Sequence, residues 1–385
     1  MLPLFIAVLA LITYGSLYPW HFVAAQPPHS PLWMLFHSLP KTFDRYFWRD
    51  IVVNIVLYIP AGLTGHLAFR RFGRFWLSLA APILICTALS ASVEMLQLFV
   101  PPRDCSLLDL ITNIAGTIAG VLVAVVFEDV FLFNRQLTRP KKQPDQAALA
   151  LLACLVLFQL FPLFPVMGRT LLRQKLGIFL HTPPWAPIVF LSAAVTWFAA
   201  GGLCRAASLR PARRILAFSV LLIPAQFFVV DRQPHPAALL GAVAGTAAFV
   251  FTWQKRTVYA TPYWKILAGI FLSTIVARGL APLNFTTVSL PFSWTPFGAF
   301  LLMDWERGLP IIIEKFFWYG TAVWIMIATG LTRITATALV AALLLAVELA
   351  QTHLPGHVAE ITDPLIAIFA SFALAMVTRQ RPQPD

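Results

Sequence analysis

Residues 107–127 read LLDLITNIAGTIAGVLVAVVF, and this stretch decides the fold. Asp109 is the only charged residue in it. A helix rises about 1.5 Å per residue, so a run of this length crosses the ~30 Å apolar core of a bilayer. Lipid offers no hydrogen-bond partners to backbone groups, and a helix satisfies them internally. We therefore expect a membrane-spanning helix with a carboxylate near its start.

The composition extends this expectation to the whole chain. Of its 385 residues, 59% are hydrophobic and 11% are charged, and the mean hydropathy is +0.78. A soluble domain could not cover so much apolar surface. The net charge of +12 does not indicate nucleic-acid binding, because the basic residues lie mainly in short connections between apolar runs. The four scattered cysteines indicate neither a disulfide framework nor a metal site, and no cofactor motif is present.

The chain is expected to be an all-α polytopic protein of the plasma (inner) membrane. The first apolar run lacks the basic start of a signal peptide, so we interpret it as a retained span. Alternate connections between the spans lie on the same side of the membrane. The side that includes both termini holds 17 of the 28 Lys and Arg residues, which predicts that both termini are cytoplasmic. The shortest runs, 187–203 and 214–230, are the weakest predictions. The twelve predicted spans are 4–23, 51–69, 76–99, 107–127, 147–167, 187–203, 214–230, 236–253, 266–283, 309–331, 334–354 and 361–377.

An internal repeat divides these spans into three blocks of four, at 1–137, 146–256 and 262–379. In the first block Glu94 is followed by Gln97 at +3, by a proline at +7 and by Asp109 at +15. Glu348, Gln351 and Asp363 repeat this spacing in the last block. The basic segment 138–145 is predicted to be a cytoplasmic linker.

The middle block keeps only part of the pattern. Gln226 and Arg232 repeat the +6 spacing of Gln97 and Arg103, whereas Ile223 and Ala238 replace the two acids. The long connections 24–49 and 284–308 are aromatic-rich, which indicates either interfacial segments or plain loops.

Polar residues recur at the ends of three spans of the first block and are expected to meet on the outer side. Each helix end carries a pair one turn apart: Asp50 with Asn54, Glu94 with Gln97, and Asp109 with Asn113, next to Arg103. Ionisable groups in a span are costly and therefore mark candidate functional sites. The structural alternative is that Glu94 pairs with Arg103 and the amides fasten helices together.

The last block carries further polar residues at comparable places. Glu348, Gln351, His357 and Asp363 are candidate site residues, and Glu314, Lys315 and Arg278 fall inside spans. His353 and His357 have a spacing that zinc ligands use, but Pro355 and Gly356 between them break the helix. Ordinary loop histidines are the better interpretation, so no metal site is predicted.

The first block resembles the VanZ-like family of integral membrane proteins. The residues that carry the resemblance are Asp50-Ile51-Val52-Val53-Asn54, Ile59-Pro60-Ala61-Gly62, Glu94-Met95-Leu96-Gln97, Arg103 and Leu108–Gly116 (LDLITNIAG). The last block is a divergent copy, with Ile312, His357 and Ala367 at the positions of Asn54, Arg103 and Asn113. The resemblance implies an envelope-associated membrane protein linked to tolerance of teicoplanin-type lipoglycopeptides.

Three functions stay open at this point. In the first, the protein binds or moves an amphiphilic envelope ligand, either a lipid-linked intermediate or a lipoglycopeptide. The outer cluster holds the head of that ligand, and Arg103 pairs with its phosphate or carboxylate. In the second, Glu94 and Asp109 are the base and the acid of an enzyme that acts on an envelope lipid or glycan. In the third, Glu94 and Glu348 couple to protons. Membrane lipids are the expected partners, and the sequence is compatible with an oligomer.

Overall fold

The structure is a computed structural model of the full chain, and it divides into two compact units, Met1–Lys141 and Lys142–Asp385. It describes residues 1–24, 27–38, 45–101, 103–137, 145–161, 165–166, 168–209, 212–253, 261–303 and 305–378. Within these ranges, the side chains of 45–49, 127–137, 253, 261–262 and 305–306 are not described. The predicted linker 138–145 lies outside the described residues except for Asp145.

Helices form the first unit throughout its described part. The long helices are α1 (Leu2–Ser16), α3 (Arg45–Phe69), α4 (Phe75–Gln97) and α5 (Leu107–Leu137), and a short α2 (Pro31–Phe36) precedes α3. A 3-10 turn at Arg70–Phe72 and a left-handed Gly73 (φ 71°) join α3 to α4. Phe5 and Ile12 of α1 pack with Tyr58 of α3 and Cys86 of α4 in a small apolar core.

The backbones of α3 and α5 approach each other closely at glycines. A Cβ atom at Gly116 would lie 2.3 Å from the carbonyl oxygen of Ile55, where ordinary contacts begin at 3.4 Å. Small residues permit this spacing in membrane helices, which lack a hydrophobic driving force between one another. The contact holds Asn54, next to Ile55, beside the start of α5.

The second unit is also helical in its described part. Its longer helices are α6 (Gln146–Leu160), α7 (Arg169–His181), α8 (Pro187–Ala206), α11 (Pro236–Trp253), α12 (Thr261–Leu280), α14 (Trp305–Ala328), α15 (Arg333–Gln351) and α16 (Thr362–Thr378). Its short helices are α9 (Ala212–Ser219), α10 (Leu222–Ala225) and α13 (Gly298–Leu301). Gly245 of α11 lies against the carbonyl of Ala194 in α8, and a Cβ there would be 2.1 Å from that oxygen.

Seven helices of the described residues are long and apolar enough to cross a membrane. They are Asp50–Phe72, Phe75–Gln97, Leu107–Val126, Pro187–Ala206, Tyr263–Leu280, Arg307–Ala328 and Arg333–Gln351. Four more apolar helices are shorter: Leu2–Ser16, Gln146–Leu160, Pro236–Thr252 and Thr362–Thr378. All eleven coincide with predicted spans, so an all-helical membrane protein is confirmed at this level, whereas the count of twelve spans and the three blocks stay predictions.

The twelfth predicted span, 214–230, is not one continuous helix. It is divided into α9, α10 and a 3-10 turn at Gln226–Phe228. Pro224 lies in α10, where its missing N–H and fixed ring disfavour a continuous helix. The neighbouring prediction, 187–203, forms the unbroken helix α8.

A helix that the hydropathy pattern did not predict follows α6. Helix α7 carries Arg169, Arg173 and Lys175, which made this segment too polar for a span. Its Leu176 and Leu180 side chains are nevertheless exposed, and Phe179 packs on Phe227 with ring centroids 5.3 Å apart. Such an amphipathic pattern is typical of helices at a membrane surface.

Candidate functional site

One end of the first unit gathers most of the predicted site residues. Helix α4 ends there, and α3 and α5 begin there, so Glu94, Asp50 and Asp109 all lie at the same end. The opposite end carries the exposed basic turn of Arg70, Arg71 and Arg74. We call the set of Asp50, Asn54, Glu94, Arg103 and Asp109 the acidic end of the first unit.

Asp109 lies at the centre of the acidic end. Its carboxylate is half-buried and hydrogen-bonds the side chain of Asn54. Its backbone N–H donates to the Ser106 hydroxyl at 3.2 Å, which caps the start of α5. The charges of Asp50 and Arg103 both act on Asp109, and both of these side chains are exposed. Asp109 is therefore a fixed carboxylate within reach of solvent.

Glu94 lies deeper than Asp109. Its side chain is 3% exposed, and its carboxylate accepts a hydrogen bond from the Ser106 backbone N–H at 2.9 Å. Arg103 does not pair with it, since the Arg103 Nε donates instead to the Tyr18 carbonyl at 3.2 Å. Ser106 thus lies between a buried carboxylate and a half-exposed one.

Cys105 lies in the loop before α5, where the charges of Glu94 and Asp109 both act on its thiol. Burial, together with the charges of Glu94 and Asp109, raises the pKa of its thiol to about 11. A thiol with this pKa is protonated at neutral pH and is a weak nucleophile. Cys105 therefore reports on the electrostatics of the acidic end without being a nucleophile itself.

The amides of the predicted site have structural partners. The Gln97 Nε2 donates to the Ser16 carbonyl at the end of α1, at 2.9 Å. The Asn113 Nδ2 donates to the Ser90 hydroxyl at 2.9 Å. The Asn113 Oδ1 is buried and has no hydrogen-bond partner among the described residues. Gln97 and Asn113 therefore join helices, and Asn113 retains one open acceptor.

Residues 2–128 match the family model described as VanZ/LLP1, and the match contains every residue of the acidic end. The chain therefore contains a VanZ-like domain. No curated protein and no solved structure matches the chain.

Beyond the VanZ-like domain, the second unit repeats three of its contacts. The Glu348 carboxylate accepts from the Glu360 backbone N–H at 2.9 Å, twelve residues on, as Glu94 does from Ser106. The Gln351 Nε2 donates to the Gly279 carbonyl at 2.8 Å, at the end of α12. His357 contacts the Ala281 carbonyl through Nε2 at 2.9 Å, where Arg103 of the VanZ-like domain contacts Tyr18.

A third set of contacts of this kind lies between α6 and the turn 226–232. The Gln226 Nε2 donates to the Gln159 side chain at 2.5 Å, and the Arg232 Nε donates to the Phe161 carbonyl at 2.8 Å. Lys175 of α7 donates to the carbonyls of Val229 and Arg232. Burial lowers the pKa of Lys175, and the nearby Asp231 charge partly offsets this. The segment Phe161–Phe164 (FPLF) resembles the element around Pro19 in the first block, and its residues 162–164 lie outside the described residues.

Asp363 has partners that the sequence did not assign to it. The Lys315 ammonium pairs with one of its oxygens, and the Tyr319 hydroxyl donates to the other. The Glu348 side chain hydrogen-bonds the same carboxyl group. Lys315 and Tyr319 therefore contact Asp363 much as Asn54 contacts Asp109 in the VanZ-like domain, although Asn54 aligns with Ile312 in the sequence. An intramembrane lysine requires an acidic partner, and this signal was available in the sequence.

A separate ion pair lies next to this cluster. The Arg278 guanidinium is 2.5 Å from the Glu314 carboxylate and lies over the Trp318 ring, 4.6 Å from its centroid. The charge of Glu314 also acts on Arg232. Among the described residues, no three His, Cys, Asp or Glu side chains are placed together to hold a metal ion.

Proposed function

We propose that the VanZ-like domain binds the polar head of an amphiphilic cell-envelope ligand at its acidic end. The observation that carries this proposal is the half-buried Asp109, held by Asn54 and flanked by the exposed Asp50 and Arg103. Polar residues that only join helices do not need carboxylates that reach solvent, whereas a binding site for a polar head group does.

The chemistry of the head group follows from these side chains. Asp50 and Asp109 accept hydrogen bonds from hydroxyl or ammonium groups, and the Arg103 guanidinium donates to a carboxylate or phosphate. Glycans on lipid carriers and lipoglycopeptides carry such groups together with an apolar tail. The apolar surfaces of the helices below the acidic end would hold that tail in the bilayer. Tolerance of teicoplanin-type lipoglycopeptides is the phenotype that the family resemblance suggests.

The ligand is proposed to reach the site from the outer leaflet of the plasma membrane. The basic turn of Arg70, Arg71 and Arg74 lies at the other end of the same unit, and such residues favour the cytoplasmic side. This orientation agrees with cytoplasmic termini. Twelve spans in three blocks remain part of the proposal. They are supported by the contacts of Gln97, Gln226 and Gln351, which reach residues in the last two positions of α1, α6 and α12.

Binding is tested with the full chain in nanodiscs and a fluorescent teicoplanin-type lipoglycopeptide as the probe. Asp109→Asn should weaken binding at least tenfold, since it removes a charged acceptor worth about 1.4 kcal/mol or more. Asp231→Asn is the matched control, because Asp231 is exposed in the second unit and asparagine tolerates its left-handed backbone (φ 58°). Equal affinity of the wild type and Asp109→Asn would contradict the proposal.

A second candidate is an enzyme that acts on an envelope lipid or glycan. The observation in its favour is the pair of carboxylates, Glu94 and Asp109, which differ in burial and are bridged by Ser106. Incubation of the purified chain with envelope lipids, followed by mass spectrometry, tests this candidate. A product that disappears in Glu94→Gln would establish turnover, whereas tight binding with no product would exclude it.

A further inference from the structure

The second unit holds a cluster of ionisable groups that the proposed ligand site does not use. Asp363, at the start of α16, is 7% exposed and accepts from both Lys315 and Tyr319 of α14. Glu348 of α15 is 3% exposed and hydrogen-bonds the same carboxyl group. Three helices therefore meet at one pair of carboxyl groups.

Two carboxyl groups in hydrogen-bond contact cannot both be ionised without strong repulsion, so such a pair holds one proton between them. The single positive charge of Lys315 then balances the single negative charge of the pair. The Tyr319 hydroxyl stays protonated, because it donates to Asp363. A neutral set of this kind is the arrangement that a low-dielectric interior tolerates best.

The groups that act on Lys315, Tyr319 and the carboxyl pair come from the elements packed around them. Helix α14 supplies Lys315 and Tyr319, α12 supplies Arg278, and the connection before α16 supplies Glu360. Arg278 is already paired with Glu314. Glu360 accepts a hydrogen bond from the Ala299 N–H at 3.2 Å. Helix α6 packs on both α14 and α16, and Cys154 is its only titratable side chain.

Exposure decreases along the cluster. The side chain of Lys315 is 32% exposed and that of Asp363 is 10% exposed, whereas the whole of Glu348 is 3% exposed. The hydrogen-bonded series Lys315, Asp363 and Glu348 therefore runs from the most exposed to the most buried of the three groups.

We propose that Glu348 and Asp363 form a proton-binding site that exchanges one proton with solvent past Lys315. In the loaded state Glu348 is a carboxylic acid, Asp363 is a carboxylate and Lys315 is an ammonium. Release breaks the Glu348 O–H bond, passes the proton to water by way of Asp363, and leaves a second carboxylate. Lys315 keeps its charge throughout and stabilises the unloaded state.

This site is distinct from the acidic end of the VanZ-like domain. There Asp109 is bonded to Asn54, a neutral amide, in place of the lysine. The proposal therefore does not rest on ligand binding at Asp109. An experiment can therefore refute the proton-binding proposal without refuting the ligand-binding proposal, and the reverse also holds.

Proton exchange is measured on the purified full chain in detergent. Infrared difference spectra across a pH titration follow the C=O stretch of a protonated carboxylic acid, and the release of protons is counted potentiometrically. The wild type should lose one carboxylic-acid band and release one proton per chain that Glu348→Gln lacks. Glu348→Gln is expected to fold, because its amide oxygen still accepts from the Glu360 N–H.

Two further variants and a sodium control decide between a proton site and a purely structural cluster. Asp231→Asn, a change from carboxylate to amide at an exposed position of the second unit, should leave the Glu348 band and its released proton unchanged. Tyr319→Phe should keep the proton but shift the band, because it removes a hydrogen bond to Asp363. Identical titrations of the wild type and Glu348→Gln would overturn the proposal. A Glu348-dependent signal that appears only when sodium is added would overturn it as well, since the bound species would then be a metal cation.

Discussion

Gly116→Ala tests how the spacing of α3 and α5 controls the acidic end. The new methyl group would lie 2.3 Å from the Ile55 carbonyl oxygen and 2.8 Å from the Ile55 Cα, which is about 1 Å too close. Both are backbone atoms, so the two helices have to separate. Because Ile55 follows Asn54, the separation should also lengthen the contact between Asn54 and Asp109.

The expected cost of this overpacking is about 1–3 kcal/mol. Alanine is also a better helix former than glycine by up to about 1 kcal/mol, which would mask part of the loss. Gly269→Ala in α12 isolates that gain, because nothing lies within 4 Å of a Cβ there. Gly245→Ala should behave as Gly116→Ala does, since its Cβ would be 2.1 Å from the Ala194 carbonyl.

The assay is unfolding in mixed micelles of increasing SDS fraction, followed by circular dichroism or tryptophan fluorescence. Gly116→Ala and Gly245→Ala should each unfold about 1–3 kcal/mol more easily than Gly269→Ala. Only Gly116→Ala should also weaken binding of the lipoglycopeptide probe, since Gly245 lies in the second unit. Equal stability of the three variants would refute the reasoning, because the helices would then not be held at glycine-limited distance.

Two other predictions concern groups outside the membrane-spanning helices. In a chain whose only cysteine is Cys105, alkylation at pH 8–9 should be slow. It should be faster in Glu94→Gln, because removal of the carboxylate charge lowers the pKa of the thiol from about 11. An unchanged rate would place Glu94 too far from the thiol to act on it. Lys175→Met should destabilise the second unit by about 2–3 kcal/mol, since it strips the carbonyls of Val229 and Arg232 of a charged donor. Hydrogen exchange at 226–235 measures the effect, and Arg173→Met on the exposed side of α7 is the control that should leave it unchanged.

Helix positions could be predicted from the sequence because lipid leaves few other choices. Apolar runs such as 107–127 have to form helices, and eleven of the twelve predicted runs do so. The run 214–230 is equally apolar, but Pro224 interrupts it, and hydropathy alone is insensitive to that. Helix α7 was missed for the converse reason, since its arginines lower its hydropathy while its leucines still favour an interface.

The acidic end could be predicted in part. Spacing along the chain indicated that Asp50, Asn54, Glu94 and Asp109 share one end of the bundle, and the structure places them there. Spacing does not reveal which side chain meets which, so the contact of Arg103 with Tyr18 was not foreseen.

The cluster around Asp363 could be predicted only in part. The matched spacing indicates Glu348 and Asp363, whereas no pattern in the sequence marks Tyr319. Its partner Asp363 is 44 residues away, and a tyrosine in an apolar run resembles ordinary packing. The sequence places Lys315 inside a span but does not identify its partner, although a lone charge in lipid is costly and requires a partner.

The contacts of Gln97, Arg103, Gln351 and His357 with backbone carbonyls have a consequence for how such segments diverge. Every residue has a backbone carbonyl. Nearly all side chains of α1 and α12 can therefore be substituted while these helices keep the same position along their neighbours. Mutational drift then erodes identity without disturbing the geometry. A glutamine followed six residues later by arginine or histidine is the trait expected to outlast the rest of the sequence.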